Sequence, residues 1–363
     1  MQVFSSSDPL GAQFRAAVAA EISQFLGRQS ELYGGLGGGV PGLFRRAEEF
    51  TSGGKRIRPA FCYWSYIAVT GQEPGPEVLR AAASLDLLHV SALMHDDVMD
   101  SSDTRRGIPA AHVQYESLHR SRGGSGSAAA FGRAGAILLG DLLLSLSVEM
   151  FDTAGLSPDA HARAVAHLQA MRTEVTLGQF LDVSLQALPP RSAQEQLDGA
   201  VQVTEYKTAR YSVRRPCQIG GALGGADARL DAALASFGSP LGRAFQLRDD
   251  LLGVFGDPKI TGKPAGDDLR EGKRTVLVAL ALAHAAPAQA HRLESMLGDE
   301  GLSEDDIAES CDIITRSGAR GMAEARISEE FEEAMAALEG ARICLEGRSA
   351  LTRLAELSVR RER

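Results

Sequence analysis

Apolar residues recur at steps of three and four along most of this chain, which is the spacing of one face of an α-helix. Six segments show the pattern most clearly: 76–99, 134–151, 159–186, 194–213, 228–255 and 274–285. Two further helices are expected over 304–316 and 320–358. No stretch alternates β-branched and polar residues with the period of two that a half-buried strand needs, so no sheet is expected. The sequence therefore predicts an all-α fold, a large helical bundle that forms a single domain over residues 1–363.

Two glycine-rich passages interrupt the helical pattern. They cover residues 33–42 ("YGGLGGGVPG") and 121–132 ("SRGGSGSAAAFG"), and both predict flexible loops. A third loop is expected at 255–268, between two helical segments.

Composition and charge limit the functions that this chain can have. Hydrophobic residues make up 44% and charged residues 23%, which is typical of a folded globular protein. The net charge of −9 argues against a nucleic-acid partner, which requires a basic face. The four cysteines lie far apart without CxxC spacing, so neither a zinc site nor a disulfide framework is predicted. The expected location is the cytoplasm, without a signal peptide and without membrane insertion.

The first candidate site is the stretch "HDDVMD", which places three acids in an apolar helical segment. Asp96, Asp97 and Asp100 stand at positions i, i+1 and i+4, within an arc of about 100° on a helix. Three like charges at this distance destabilise a helix unless a cation neutralises them. Magnesium prefers carboxylate oxygens and completes its coordination with water and substrate phosphates. A solvated acidic face is the alternative, but it fits poorly beside Leu, Met and Val.

A second acidic doublet lies in "FQLRDDLLGVFGD". Asp249 and Asp250 again interrupt an apolar helix, with Gln246 about one turn earlier. Two such doublets on separate helices predict that both face one shared magnesium site.

Basic and glycine-rich motifs complement the acids. "GGKRIRP" carries Lys55, Arg56 and Arg58, with Pro59 expected at the first position of a helix, and this combination suits a phosphate site. "DTRRGIP" places Arg105 and Arg106 just after the first acidic cluster, where their guanidinium groups can bind phosphate in a bidentate manner.

In this order and spacing, the motifs resemble those of the trans-isoprenyl diphosphate synthases (polyprenyl synthetases). The resemblance covers about residues 50–285 and includes GGKRIRP, LLHVSALMHDDVMDSSDTRRGIP, GAILLGDLL, GQFLDV, EYKTARY, FQLRDDLLGVFGD, TGKPAGDDL and EGKRT. It implies an all-α fold with a central cavity, opposed acidic motifs, a homodimer and three magnesium ions per active site. The implied substrates are isopentenyl diphosphate and an allylic diphosphate.

The resemblance also implies a role for each matching residue. The magnesium ligands are expected to be Asp96, Asp97, Asp100, Asp249 and Asp250. The isopentenyl diphosphate site is expected to comprise Lys55, Arg58, His89 and Arg106. The contacts to the allylic diphosphate are expected to be Arg105, Lys207, Lys263 and Lys273. Thr208 and Gln246 are expected near the developing carbocation, and Gln179 and Asp182 are expected to support the site.

The chain departs from the family at one position and indicates its product at three others. The family's second motif usually reads DDxxD, but its fifth position here is Gly253, which indicates weaker metal binding unless Asp257 or Asp267 assists. Ser91 and Ala92 are expected about one turn below the ions, where small residues let the growing tail pass, and Leu88 and Leu85 are the next candidates for the floor of the chain-length pocket. Because Ser91 and Ala92 are small, the predicted product is geranylgeranyl diphosphate, with a farnesyl or longer product as the alternative. A class I terpene cyclase and a non-catalytic subunit of a heteromeric synthase are the rival functions.

Overall fold

The structure, a computed structural model, describes residues 4–188, 192–256, 266–299 and 301–360. These residues form two compact units. The first comprises the described parts of Met1–Arg163, Leu223–Gly225 and Cys344–Ala350, and the second those of Ala164–Ala222, Ala226–Ile343 and Leu351–Arg363. The assignment of the whole chain to a single domain stays a prediction.

The first unit consists of helices and one small hairpin. Its helices are α1 (Ala12–Tyr33), α2 (Val40–Thr51), α3 (Ile57–Thr70), α4 (Pro76–Met99), α5 (Ala111–Ser121) and α6 (Ala128–Asp152). A 3₁₀ turn, Gly34–Leu36, precedes α2. Strands β1 (Thr104–Arg105) and β2 (Ile108–Pro109) pair in an antiparallel manner.

Helices also form the described parts of the second unit. They are α7 (Pro158–Ala187, which starts in the first unit), α8 (Ala193–Val203), a π-helix (Thr204–Arg214), α9 (Arg215–Leu223), α10 (Ala228–Phe255), α11 (Asp267–Arg270), α12 (Val276–His284), α13 (Pro287–Met296), α14 (Glu304–Arg316), α15 (Ala319–Gly340) and α16 (Leu345–Val359, which starts in the first unit). The all-α prediction is confirmed.

Several predicted boundaries agree with the structure and others were wrong. Helices α4, α10 and α14 begin and end where the pattern predicted. The segment predicted as one helix over 320–358 is two helices, because the chain leaves α15 after Gly340 and the Cys344 N–H donates to the Ala68 carbonyl of α3. Pro59 is the third residue of α3 and not the first, but it still occupies the opening turn, where an N–H has no partner inside the helix.

Both glycine-rich passages are partly helical. Helix α2 begins at Val40, with Pro41 in its first turn, where proline is well tolerated. Helix α6 begins at Ala128, because the Ser127 side chain accepts a hydrogen bond from the Ala130 N–H and caps the helix. Apart from the hairpin at 104–109, which the sequence did not predict, the residues described contain no strand.

Helices α4 and α6 pack closely in the first unit. A Cβ atom at Gly140 on α6 would lie 2.4 Å from the Nε2 atom of His95 on α4, so the imidazole ring packs directly against the glycine. The Ser91 hydroxyl donates a 2.7 Å hydrogen bond to the Gly140 carbonyl across the same contact. This packing fixes the position of the α4 segment that carries the first acidic motif.

The π-helix of the second unit packs against two glycine-lined helices. A Cβ atom at Gly178 on α7 would lie 2.3 Å from the Lys207 backbone nitrogen. One at Gly242 on α10 would lie 2.4 Å from the Ala209 Cα atom. Because π-helical segments often occur at functional sites, this element indicates where the site of the second unit lies.

Charged side chains also hold the π-helix in place. Glu205 accepts hydrogen bonds from Arg210 at 2.8 Å and from Arg243 of α10 at 3.0 Å, and Arg243 donates to Glu330 of α15 at 2.6 Å. Burial acts to raise the pKa of Glu205, but the hydrogen bonds of Arg210 and Arg243 outweigh it and lower the pKa. The network therefore keeps Glu205 ionised and ties three helices together.

In the part of the chain that the structure covers, α6 alone has the length and apolar composition to cross a membrane. Core helices of soluble proteins meet the same criteria, and α6 buries Leu139, Leu143 and Leu146 inside the first unit. The absence of membrane insertion stays a prediction.

Candidate active site

The first acidic motif stands at the C-terminal end of α4. Asp96 and Asp97 lie in its last turn, and Asp100 caps the helix by donating its N–H to the Asp96 carbonyl at 2.8 Å. A helix C-terminus carries partial negative charge, and the last turn of α4 contains no basic residue. Three acids at this end are therefore unfavourable by themselves, and a bound cation would compensate them.

The acids of this motif point in different directions. Asp97 is fully buried, whereas Asp96 and Asp100 are partly exposed. Asp96 shares its exposed stripe with Ala92 and His89, which lie four and seven residues earlier. Asp96 and Asp100 are thus the two carboxylates that α4 presents at its surface.

Asp97 binds an arginine of the hairpin. Its Oδ1 atom accepts a 2.7 Å hydrogen bond from Nε of Arg105 and a second from the Nη2 atom of the same side chain. Burial raises the pKa of Asp97, although the charge of Arg105 acts in the opposite direction. In this structure Asp97 positions Arg105, and its predicted role as a metal ligand stays a prediction.

Arg105 ends the first strand of the hairpin, whereas Arg106 lies in its turn. Arg106 (φ 54°) and Gly107 (φ 79°) form a tight turn in which both residues have positive φ, as in a type I′ turn. Nη1 of Arg106 donates to the Gly53 carbonyl at 2.9 Å and to the Phe50 carbonyl at 3.3 Å. The Arg106 side chain thereby connects the hairpin to the residues that follow α2.

The basic motif after α2 depends on a buried ion pair. Arg56, in the left-handed conformation with φ 57°, pairs with Asp86 of α4 and donates to the Thr51 carbonyl at 2.5 Å. Both charged side chains are buried, and burial raises the pKa of Asp86 even though the charge of Arg56 lowers it. With Arg56 held inward, Lys55 is exposed and Arg58 half-buried. The sequence analysis missed Asp86, although a lone acid in "AAASLDLLHV" is a usable signal.

His89 is influenced by the arginine side chains of this region. Burial lowers its pKa well below the usual value, and the charges of Arg58, Arg106 and Arg105 lower it further. The positive charges of Arg58 and Arg106 therefore act on His89, and the isopentenyl diphosphate site that these residues were predicted to form stays a prediction. A cavity of about 200 Å³ beside it is lined by Gly53, Leu93, Arg105 and Arg106, together with Glu49, Phe50, Ser52, Val90, Met94 and Ile108.

The predicted chain-length residues lie on α4, on both sides of His89 along the helix. Ala92 is partly exposed on the Asp96 face, whereas Ser91 and Leu88 are buried. The hydroxyl of Ser91 is already committed to the contact with α6. The roles of all three residues stay predictions.

In the second unit, a chain of hydrogen bonds connects the π-helix to the second acidic motif. The Thr208 hydroxyl donates to Oε1 of Gln246 at 2.6 Å, and the Gln246 amide donates to Oδ1 of Asp250 at 2.8 Å. Burial raises the pKa of Asp250 well above its usual value, and the hydrogen bond from Gln246 only partly opposes this. The negative charges of Asp268 and Asp249 raise the pKa further.

The predicted lysines of this unit have acidic partners. Nζ of Lys207 lies 2.5 Å from Oδ2 of Asp182, and Gln179 stands three residues before Asp182 on α7. Lys273 contacts Glu271 and lies 3.6 Å from Oδ1 of Asp268. Lys263 and Asp257 lie outside the residues that the structure describes.

Gly253, the departure from DDxxD, stands next to an acid that the sequence analysis did not single out. A Cβ atom at Gly253 would lie 2.0 Å from Oδ2 of Asp268 and 2.7 Å from its Cγ atom. The carboxylate of Asp268 thus occupies the space that a side chain at position 253 would need. The doublet Asp267–Asp268 in "AGDDL" was the available sequence signal.

The acids suit magnesium in chemistry but form no complete metal cage. Over residues 4–188, 192–256, 266–299 and 301–360, no three acidic, histidine or cysteine side chains are grouped as a ready metal site. Magnesium typically binds one or two carboxylates and completes its shell with water and substrate phosphates. Asp96, Asp100 and Asp249 provide carboxylates of this kind. Asp96 and Asp249 belong to different units, and the prediction that they face one cavity stays a prediction.

Comparison with known proteins agrees with the motif assignment. Residues 43–314 match the Polyprenyl synthetase family. The geranylgeranyl pyrophosphate synthase of Corynebacterium glutamicum, solved with isoprenyl diphosphate and magnesium, matches with a TM-score of 0.91 and 41% identity, over 96% of this chain and 98% of that one. The geranylfarnesyl diphosphate synthase of Aeropyrum pernix is 32% identical, over 76% of this chain and 80% of the relative. The (2E,6E)-farnesyl diphosphate synthase of Mycobacterium bovis is 34% identical, over 75% and 70%.

Proposed function

This chain belongs to the polyprenyl synthetase family, and from that premise we propose that it condenses isopentenyl diphosphate head-to-tail with an allylic diphosphate to make geranylgeranyl diphosphate. The observation that carries the proposal is the charge arrangement at the end of α4. Asp96 and Asp100 present carboxylates at a helix C-terminus, and the neighbouring Asp97 holds Arg105 through partly buried hydrogen bonds. Such an arrangement suits a diphosphate bound together with magnesium.

The carboxylates of Asp96, Asp100 and Asp249 would hold magnesium ions, three of them in our proposal, and Asp97 and Asp250 would complete the acidic set. When bound, magnesium neutralises the diphosphate and makes it a better leaving group. The solved relative from Corynebacterium glutamicum, which contains magnesium and isoprenyl diphosphate, supports this assignment.

The other residues have separate tasks in the proposed reaction. Arg105, Lys207, Lys263 and Lys273 bind the allylic diphosphate, and Lys55, Arg58, His89 and Arg106 bind isopentenyl diphosphate. The Thr208 hydroxyl, oriented by its 2.6 Å hydrogen bond to Gln246, directs its lone pairs towards the carbocation that develops as the diphosphate departs. The double bond of isopentenyl diphosphate attacks this cation, and the proton that is then lost passes to the released diphosphate. No dedicated protein base is required.

The small side chain of Ala92 supports a twenty-carbon product. Ala92 lies four residues before Asp96 on the same partly exposed face of α4, about 6 Å along the helix axis. Leu88 lies one further turn down and would close the pocket. We expect Ala92→Phe to shorten the product to farnesyl diphosphate, as measured by chromatography and mass spectrometry of the dephosphorylated alcohols. An unchanged chain length in an active variant would refute this account of the floor.

One assay separates the proposed synthase from its rivals. Purified protein is incubated with magnesium, isopentenyl diphosphate and a five-, ten- or fifteen-carbon allylic diphosphate. Elongation to C20 supports the proposal, and elongation to C15 or C25 supports the farnesyl or longer-chain alternative. A cyclic hydrocarbon indicates a terpene cyclase, and activity only after a second protein is added indicates a non-catalytic subunit. Asp96→Asn in the same assay shows whether any activity depends on the first motif.

We also propose that two copies of the chain form a homodimer through α6. This helix exposes Phe131, Ile137 and Leu138 by 44%, 43% and 62%, and exposed apolar side chains grouped on one helix suit a protein–protein interface. Leu138→Glu is expected to convert a dimer to a monomer in light scattering. Leu345→Glu, at a leucine that is 82% exposed elsewhere in the first unit, is the matched control and should leave the dimer intact. A parent protein that is monomeric at micromolar concentration contradicts the proposal.

The cytoplasm is the proposed location of this protein. None of its four cysteines takes part in a disulfide, which suits a reducing compartment. Cell fractionation with an antibody against the chain tests this.

A further inference from the structure

The segment between α2 and α3 contains an arginine in an unfavourable backbone conformation. Arg56 has a φ of 57°, and a residue with a Cβ atom adopts this left-handed conformation only where its surroundings hold it there. The Arg56 side chain is buried, pairs with Asp86 of α4, and donates from Nη2 to the Thr51 carbonyl at 2.5 Å. Contacts to both α2 and α4 therefore fix the residue that precedes α3.

A second arginine holds the same segment at another point. Nη1 of Arg106 donates to the Gly53 carbonyl at 2.9 Å. The next residue, Gly54, has a φ of 116° that favours glycine, and an added Cβ atom there would lie 3.0 Å from Nη2 of Arg106. The guanidinium group of Arg106 thus packs on the backbone of this segment, whereas Arg56 connects the segment to α4.

Asp86 is the carboxylate that the arginines of this region share. It is buried, and the positive charges of Arg56, Arg106 and Arg58 all oppose the rise in its pKa that burial causes. The same three charges act on His89, which lies three residues further along α4. One buried acid therefore interacts with arginines from two separate segments of the chain.

We propose that Asp86 is a positioning residue of the isopentenyl diphosphate site, and that it acts through Arg56 to fix the segment that carries Lys55 and Arg58. Asp86 does not contact the substrate, because its carboxylate is buried and pairs with Arg56. This inference rests on the proposed synthase function. It adds Asp86 and Arg56, neither of which the sequence analysis assigned to the site.

The charge of Asp86 by itself would have the opposite effect on substrate binding. A negative charge that acts on Arg58 and Arg106 weakens their attraction for a diphosphate. If Asp86 acted only through its charge, Asp86→Asn would lower the KM for isopentenyl diphosphate. A positioning role predicts a higher KM, because Arg56 without its partner no longer holds the left-handed segment in place. The direction of the change therefore separates the two explanations.

The test measures elongation while isopentenyl diphosphate and the allylic diphosphate are varied separately. Asp86→Asn is expected to raise the KM for isopentenyl diphosphate at least about tenfold, because a shift of about 1 Å in a substrate-positioning group can weaken its action about 100-fold. The KM for the allylic diphosphate should stay near the parent's. Asp86→Glu keeps a carboxylate opposite Arg56, so its KM for isopentenyl diphosphate should lie between those of the parent and Asp86→Asn.

Two further variants keep the test decisive if Asp86→Asn folds poorly. Arg56→Lys retains a positive charge opposite Asp86 but lacks the guanidinium fork that also reaches Thr51, so it should raise the same KM with a smaller loss of melting temperature. Leu87→Ala is the matched control, because Leu87 is fully buried beside Asp86 on α4 and its truncation destabilises the helix packing without removing a charge. If Leu87→Ala raises the KM for isopentenyl diphosphate as much as Asp86→Asn does, destabilisation explains the effect and the proposal is overturned.

The failure of this inference can be separated from failure of the proposed function. If the parent elongates an allylic primer, the function stands. In that case, an unchanged or lower KM for isopentenyl diphosphate in Asp86→Asn and Arg56→Lys, or an equal rise for both substrates, overturns the role of Asp86 only. If the parent binds isopentenyl diphosphate without elongation, the synthase is refuted, and the same variants compared by calorimetric Kd decide the inference. A parent that neither binds nor elongates overturns both.

Discussion

Replacing Gly178 by alanine tests how closely the π-helix must approach α7. In the structure, an added Cβ would lie 2.3 Å from the Lys207 backbone nitrogen, whereas ordinary contact begins at 3.4 Å. The two helices must therefore separate by about 1.1 Å, the difference between these distances. The neighbour is backbone, so no side-chain rotation can relieve the clash. Overpacking of this kind typically destabilises a protein by about 1–3 kcal/mol.

Gly27→Ala is the matched control. Gly27 lies inside α1, and an added Cβ there would meet nothing within 4 Å. Both variants gain the same helix propensity, about 1 kcal/mol. The difference between their free energies of unfolding, measured with guanidinium chloride, therefore isolates the clash, and we expect about 1–3 kcal/mol in favour of Gly27→Ala.

The same displacement should reduce catalysis. Lys207 and Thr208 move with the backbone, and a misplacement of about 1 Å can lower turnover about 100-fold. We expect Gly178→Ala to show this loss in the elongation assay and Gly27→Ala to retain the parent's turnover. If the two variants have equal unfolding free energies and equal turnover, the close approach of α7 and the π-helix has no energetic consequence and the reasoning is wrong.

Three further predictions concern individual polar groups. Asp86→Asn leaves buried Arg56 without a compensating charge and should lower the free energy of unfolding by about 3–5 kcal/mol. Asp312→Asn removes one partner of an exposed ion pair and should leave the free energy of unfolding nearly unchanged. Denaturant titration measures both variants. The lowered pKa of His89 keeps it neutral when folded, so its stabilisation is present above about pH 6.5 and is lost as the pH falls below that value. His89→Gln should therefore flatten the decline in stability between pH 6.5 and 5. Thr208→Val deletes the hydroxyl near the proposed carbocation and should lower kcat about tenfold with little change in KM, and an unchanged kcat would contradict its role.

The helices and the motifs could be predicted because their signals are local. The periodicity of 76–99 and 228–255 located α4 and α10 to the residue, and the acids in "HDDVMD" and "FQLRDDLLGVFGD" identified both motifs. The apolar periodicity of a helix depends only on neighbours three and four residues away, which a single sequence displays. The π-helix at Thr204–Arg214 was missed within the segment predicted as one helix, and in the structure it packs against Gly178 and Gly242 of two other helices.

The contacts of individual side chains could not be predicted from such local patterns. Asp97 follows Asp96 in the motif, but burial and Arg105 give it a different task. Arg56 stands between two predicted phosphate contacts, yet it points inward to Asp86.

The amino-acid sequence by itself determined the fold class, the family and the two acidic motifs, because each of these depends on residue types at short, fixed spacings along the chain. Only the tertiary structure decided that Asp268 lies against Gly253, fifteen positions earlier in the chain, and that Ser91 is committed to α6. Such pairings depend on how separate elements pack, and packing brings together residues whose distance along the chain carries no information about their distance in space.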